Sequence, residues 1–197
     1  MDRAVWATKK KGTAEERMIA LSAGRDVTVV PPADELLIPY DLWTNRAHSI
    51  MLAEIGIYQK GELKKLLEAL NEIETRFERG VWKLNPALED VHICVEAEVA
   101  QVAGESISGR MHSGRSRNDQ SATDVRLYLR DALLSFLEEW HVLLQSVLNH
   151  AEKHLDTVMP GFTHHRPATI TTWGHWCASY AAGLLREFPM PPGPARQ

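Results

Sequence analysis

Residues 124–155 read DVRLYLRDALLSFLEEWHVLLQSVLNHAEKHL, and this stretch decides the fold. Val125, Leu129, Ala132, Leu133, Phe136, Leu137, Trp140, Leu143, Leu144, Val147, Leu148, Ala151 and Leu155 keep three-and-four spacing for about nine turns, or roughly 50 Å at 1.5 Å rise per residue. A helix of that length is an element of a bundle, because its apolar stripe needs other helices along its whole length. The spacing therefore predicts an all-α protein. Met159-Pro160-Gly161 is expected to break the helix, a short loop to follow, and Thr171 to Glu187 to form a further apolar helix.

Working outward toward the N-terminus, Gly104 to Gln120 is rich in Gly, Ser and Arg without apolar periodicity and is read as a loop, with Asp119 as the cap of the long helix. Asn85-Pro86 is read as a cap with proline at the first helical position, opening a helix through Val91, Val95 and Val99. Two earlier helices, Asp41 to Ile55 and Gly61 to Phe77, are stopped by Gly56 and Gly80 and form a helical hairpin. The chain thus divides into a poorly structured arm (1–33), an N-terminal helical domain (34–118), the first long helices of an incomplete central bundle (119–188) and a proline-rich disordered tail (189–197).

Composition narrows the class. The 197 residues are 44% hydrophobic and 24% charged with a formal net charge of -4, the balance of an ordinary globular protein and not of a nucleic-acid binder. Lys9, Lys10 and Lys11 fit a solvated arm. No apolar stretch has the length of a secretory signal or a membrane span, so the expected location is the cytoplasm, away from membranes. Cys94 and Cys177 lie in apolar runs without paired spacing, and His150 and His154 flank a segment that departs from the zinc-protease pattern, so neither a disulfide framework nor a metal nor any other cofactor is expected.

Three polar clusters carry the candidate chemistry. His112-Ser113-Gly114-Arg115-Ser116-Arg117-Asn118-Asp119-Gln120 brings two guanidinium groups, two hydroxyls and an amide to the start of a long helix, a combination that binds carboxylate or phosphate. The same residues also suit the plainer task of capping a helix and solvating a loop. Thr163-His164-His165-Arg166 sets an imidazole beside a hydroxyl between two helices, a candidate acid or base. Glu89-Asp90-Val91-His92, with Glu96 and Glu98, reads otherwise as a charged helix start, and His175 as a packed core histidine.

Together these clusters resemble a known family. Ser-Gly-Arg-Ser-Arg-Asn-Asp-Gln followed by Ser-Ala-Thr-Asp (113–124) is similar to the first signature of the argininosuccinate lyases, within the fumarase and aspartase superfamily. Glu89-Asp90-Val91-His92 resembles the family's acidic-His segment, and Met159-Pro160-Gly161-Phe162-Thr163-His164 its second signature, over residues 36 to 187 in all. The resemblance implies an all-α homotetramer with a central helix bundle and active sites assembled from three subunits. It implies elimination of an amine or guanidine leaving group from a succinyl substrate to give fumarate, as in arginine biosynthesis. By matched position His164 is the general base or its immediate relay, while Thr163, Asn118, Arg117, Ser113, Arg115 and Asn45 contact the dicarboxylate, and Asp90 and His92 stand behind or beside it. Asn45 occupies the place of a family serine, and His165-Arg166 stands where the family carries Leu-Gln.

The family's third signature, a flexible loop with a catalytic serine, has no counterpart here, and the family runs to more than twice this length. The chain is therefore expected to be the N-terminal portion of such a lyase, from a truncated product, a split gene or a shifted frame, working as a homo-oligomer or with a complementing C-terminal half. The alternative is a non-catalytic helical relative that serves as a structural or interaction module.

Overall fold

A computed structural model describes Met18, residues 33–88 and residues 90–187. The expected arm and tail, with the Lys9 to Lys11 run and Glu89 of the acidic-His segment, lie outside these residues. Among the described residues the protein is helical with one small two-stranded sheet, and the chain divides into two compact units at Arg130/Asp131, inside the long helix.

The first unit is built from α1 (Ala33–Glu54), α2 (Lys60–Glu78), α3 (Val91–Ala103), the single turn α4 (Glu105–Ser108) and the opening of α5 (Arg117–Lys153). Helix α1 starts well before the expected Asp41, because Pro39 is accommodated near its beginning at the loss of one backbone hydrogen bond. Its inward face repeats at helical spacing: Leu37 and Ile38, then Asp41 and Leu42, then Asn45, Ser49 and Leu52. Leu66, Ala69, Leu70 and Ile73 of α2 and Val91, Val95 and Val99 of α3 close one core against it. Each of these side chains, truncated to alanine, removes about 2–5 kcal/mol where a leucine or isoleucine is lost.

Two expected helix starts are corrected. Asn85 accepts from the Ala87 N–H at 2.9 Å and closes a turn, so α3 begins six residues later under Asp90, whose Oδ1 accepts from the Ile93 N–H at 2.7 Å. Asp119 sits inside the first turn of α5 and reaches back to the Ser116 N–H, while the Ser116 hydroxyl accepts from the Asn118 N–H. That reciprocal pair makes Ser116 the cap. The stretch read as an uninterrupted loop also contains α4.

Helix α5 has 37 residues, about 55 Å. Beyond it the second unit departs from expectation: in place of a loop, β1 (Val158–Thr163) pairs antiparallel with β2 (Arg166–Thr172) before α6 (Trp173–Glu187) begins. The strands escaped the pattern because both faces are largely exposed, so no apolar alternation marks them. A shift in register between Gly161 and Phe162 follows the proline and glycine.

Gly174 ties α6 to the end of α5. Its N–H donates to the His154 carbonyl at 2.9 Å, and a Cβ there would stand 2.7 Å from the Ala151 carbonyl oxygen and 2.8 Å from that of His154. Backbone cannot retreat as a side chain can, so Gly174→Ala is expected to destabilise this unit by about 1–3 kcal/mol, read as a lowered urea midpoint against the silent exchange Gly183→Ala, where the added methyl meets nothing. Equal midpoints for the two variants would refute the close approach.

Candidate active site

The predicted site residues fall in both units. Asn45, Asp90, His92, Ser113, Arg115, Arg117 and Asn118 belong to the first; Thr163 and His164 belong to the second.

In the first unit a buried polar network joins three helices and the loop. Asp41 on α1 is fully buried and accepts from His92 Nδ1 at 2.6 Å, from Gln120 Nε2 and from Asn45 Nδ2 at 2.8 Å. His92 Nε2 lies 2.9 Å from the Ser121 hydroxyl, and Arg115 donates through Nη2 to Asn45 Oδ1. Asp124, also fully buried, accepts from the Thr44 hydroxyl at 2.8 Å. An ionised Asp41 matches this set, since all three of its partners are donors.

Electrostatics follows burial. Desolvation opposes a charged His92, but the bond to Asp41 and the nearby charges of Asp41, Asp90 and Asp124 outweigh it and lift its pKa above the ordinary value. Asp124 is pushed up to about 6, first by burial and then by the Asp41 charge. Burial, then the guanidinium groups of Arg115 and Arg117, lowers His112 and favours the neutral ring; burial likewise lowers His48, whose Nε2 meets the Ser113 carbonyl at 2.9 Å.

The two arginines of the loop are anchored differently. Arg117 grips both oxygens of Asp90 through Nη1, at 2.8 and 2.7 Å, and Arg117 Nη2 lies 3.8 Å from Glu96. Asp90 thus caps α3 and holds the loop with one carboxylate. Arg115 is held through Asn45, and its Nε is buried without a partner. Asn118 is exposed at the mouth of the loop. The structure therefore brings Asn45, Asp90, His92, Arg115 and Arg117 into one neighbourhood of mixed charge. Sequence reasoning passed over Asp41, Thr44, Gln120, Ser121 and Asp124. Their signal is faint: Asp41 with Asn45, and Gln120 with Asp124, are polar pairs one turn apart at places where an apolar face is otherwise due.

In the second unit His164 and His165 form the two-residue turn between the strands, with φ of 48° and 60°. Thr163 pairs with Arg166 across it, and all four side chains are exposed. A turn with positive φ at both central residues suits the strand twist and favours Asn-Gly, so two histidines there hold about 1–2 kcal/mol of strain each. His165→Gly is expected to stabilise the hairpin by up to about 1 kcal/mol, seen as a raised urea midpoint; a lowered one would mean the His165 ring makes contacts that outweigh its backbone.

A cavity of about 870 Å³ lies elsewhere in the first unit, between Trp82, Leu88, Ile93 and Ala97. Glu96, Glu98 and Glu105 line it with Lys83 and no arginine, the wrong charge for a dicarboxylate. The loop cluster remains the better candidate. Among the described residues no helix is long and apolar enough to cross a membrane.

Comparison with known proteins bears on the family of the chain. The family model described as Lyase matches residues 37–190. The argininosuccinate lyase of Methanosarcina barkeri is 44% identical over 156 residues, 79% of this chain and 31% of that protein. That of Campylobacter jejuni is 30% identical over 187 residues, 95% of this chain and 39% of that one. Among solved structures, an EDDS lyase variant with bound fumarate superposes with a TM-score of 0.67 at 30% identity, covering 88% of this chain and 33% of the other. The chain spans about a third of the length of the relatives it matches. The chain belongs to the lyase family that the argininosuccinate lyases share.

Proposed function

We propose that the chain supplies a loop from its first unit and a hairpin from its second to elimination sites assembled from more than one subunit, which cleave a carbon–nitrogen bond of an argininosuccinate-like substrate to give fumarate. The observation that carries this reading is the 113–124 segment, whose two arginines are anchored by Asp90 and by the Asp41–Asn45 pair next to an exposed Asn118. In this reading Arg115, Arg117, Asn118, Ser113 and Thr163 hold the carboxylates, with Asn45 acting through Arg115. His164, or a group it relays to, removes the proton from the carbon beside a carboxylate. The electron pair moves into that carboxylate, fixed donors hold the charge as it develops, and the amine leaves with a proton from an acid. Asp90 and His92 hold the loop and do not meet substrate.

The exposed apolar residues of α5, among them Leu133, Phe136, Val142 and Leu143, favour assembly with further helices, in a homo-oligomer or with a complementing half. We place the protein in the cytoplasm and expect neither metal nor other cofactor. The test is fumarate release from argininosuccinate, followed by ultraviolet absorbance, with the chain alone and mixed with the C-terminal half of an argininosuccinate lyase. Release in the mixture supports the reading. Silence in both, with a well-folded sample, moves the chain to a different substrate or to a non-catalytic interaction role.

A further inference from the structure

Asp124 is the buried acid that the elimination leaves unused. One oxygen accepts from Thr44, while Oδ2 is buried without a partner and lies 3.9 Å from His92 Nδ1. It stands beside Asp41, whose own two oxygens already take three donors. Two carboxylates packed together away from water do not both ionise freely; one proton between them removes the repulsion and gives Oδ2 a role. A metal ion is the competing occupant, since ligand atoms of Asp41, His92 and Asp124 lie within 4.8 Å of one another. Both ring nitrogens of His92 are already in hydrogen bonds, to Asp41 and Ser121, so a metal would have to displace one of these bonds to reach the ring.

We propose that Asp124 is a positioning residue for the anion loop: a proton on its buried Oδ2, shared with Asp41, keeps the Asp41–Asn45–Arg115 chain in one arrangement. With the proton in place, Arg115 is held through Asn45 and its remaining donors stay free. Without it, a second buried negative charge draws the guanidinium inward, because Asp41 and Asp124 both act on Arg115 through space. The charged and titratable groups around Asp124 are Asp41 on α1, His92 on α3 and Arg115 in the loop; Asp90, Glu96, His112 and Arg117 act on these at longer range. That the freed donors serve a substrate carboxylate rests on the proposed function, but the positioning itself does not.

The experiment is therefore free of substrate. In the full chain labelled with carbon-13 and nitrogen-15, the Asp124 carboxyl carbon and the Arg115 Nε–H are followed by NMR between acid and alkaline pH. The expected result is a midpoint near 6 for Asp124, with the Arg115 resonance moving at the same midpoint. In Asp124→Asn the Arg115 resonance should stay near its low-pH position through that range, while the histidines still titrate. Thr44→Val, which removes a bond favouring the ionised acid, should raise both midpoints together and serves if Asp124→Asn fails to fold. An Asp124 midpoint in the ordinary carboxylate range, an Arg115 resonance indifferent to it, or a resonance set that changes on adding zinc or magnesium and reverts with chelator would each overturn the proposal. Fumarate release plays no part in these readouts, so a wrong substrate leaves them intact.

Discussion

Asp41→Ala is expected to destabilise the first unit by about 3–5 kcal/mol, a large share of what holds an ordinary domain together. The substitution leaves His92 Nδ1, Gln120 Nε2 and Asn45 Nδ2 without their acceptor in a buried space, one of them on a ring that the native site favours as a cation. Urea unfolding gives the number, and a double variant gives the mechanism. Replacing both members of a buried pair is milder than orphaning one. Asp41→Ala with His92→Leu should therefore lose less than the sum of the two single changes, and a strictly additive result would show that the network is not a unit.

The same site sets a pH dependence. The pKa of His92 is raised above the ordinary histidine value of 6.5, so its contribution is fully present below that value and is lost as pH rises through the higher folded value. Asp124 is raised from 3.8 to about 6, so the stabilisation of its protonated form is complete below 3.8 and is lost as pH climbs to about 6. Both effects run the same way, so the contribution of this network should fall from mildly acid to alkaline pH, against the opposite trend of His48 and His112, whose lowered pKa values favour higher pH. The Asp41 charge contributes to both shifts, so Asp41→Ala should flatten the profile as well as lower it. A steep profile surviving in the variant would place the titration elsewhere.

Much of this was legible in the residues, for reasons that differ by element. The long helix announced itself because apolar spacing sustained for nine turns has no other reading, and the 113–124 loop because arginine, serine and glycine at a helix start suit few other tasks. The hairpin stayed hidden because Pro160 and Gly161 read as breakers, and strands exposed on both faces carry no alternation. The run Thr169, Ile170, Thr171 and Thr172 was its main β-branched clue, with Val158 and Thr163 isolated at the ends of the first strand. The buried network was illegible for another reason: Asp41, His92 and Gln120 come together across 51 and 79 residues of chain, and local spacing records no such pairing. Ser116 and Asp119 each suit a helix cap, and only their two reciprocal hydrogen bonds decide between them.

His164→Asn is expected to lower kcat for fumarate release by about 10²–10⁴-fold in the complemented assay, with KM little changed. Asparagine keeps a side-chain amide at the turn and tolerates the positive φ that His164 adopts at 48°, so the hairpin should survive while the proton acceptor is lost. His165→Asn is the matched control: it sits next in the same turn with φ of 60°, equally exposed, and should cost far less. The comparison separates chemistry from geometry, because both changes treat the backbone alike and only one removes the base. Equal losses in the two variants would mean that turn shape and not the His164 imidazole supports the reaction. A loss confined to KM would recast His164 as a substrate contact, and the base would then have to be sought among groups the complementing half supplies.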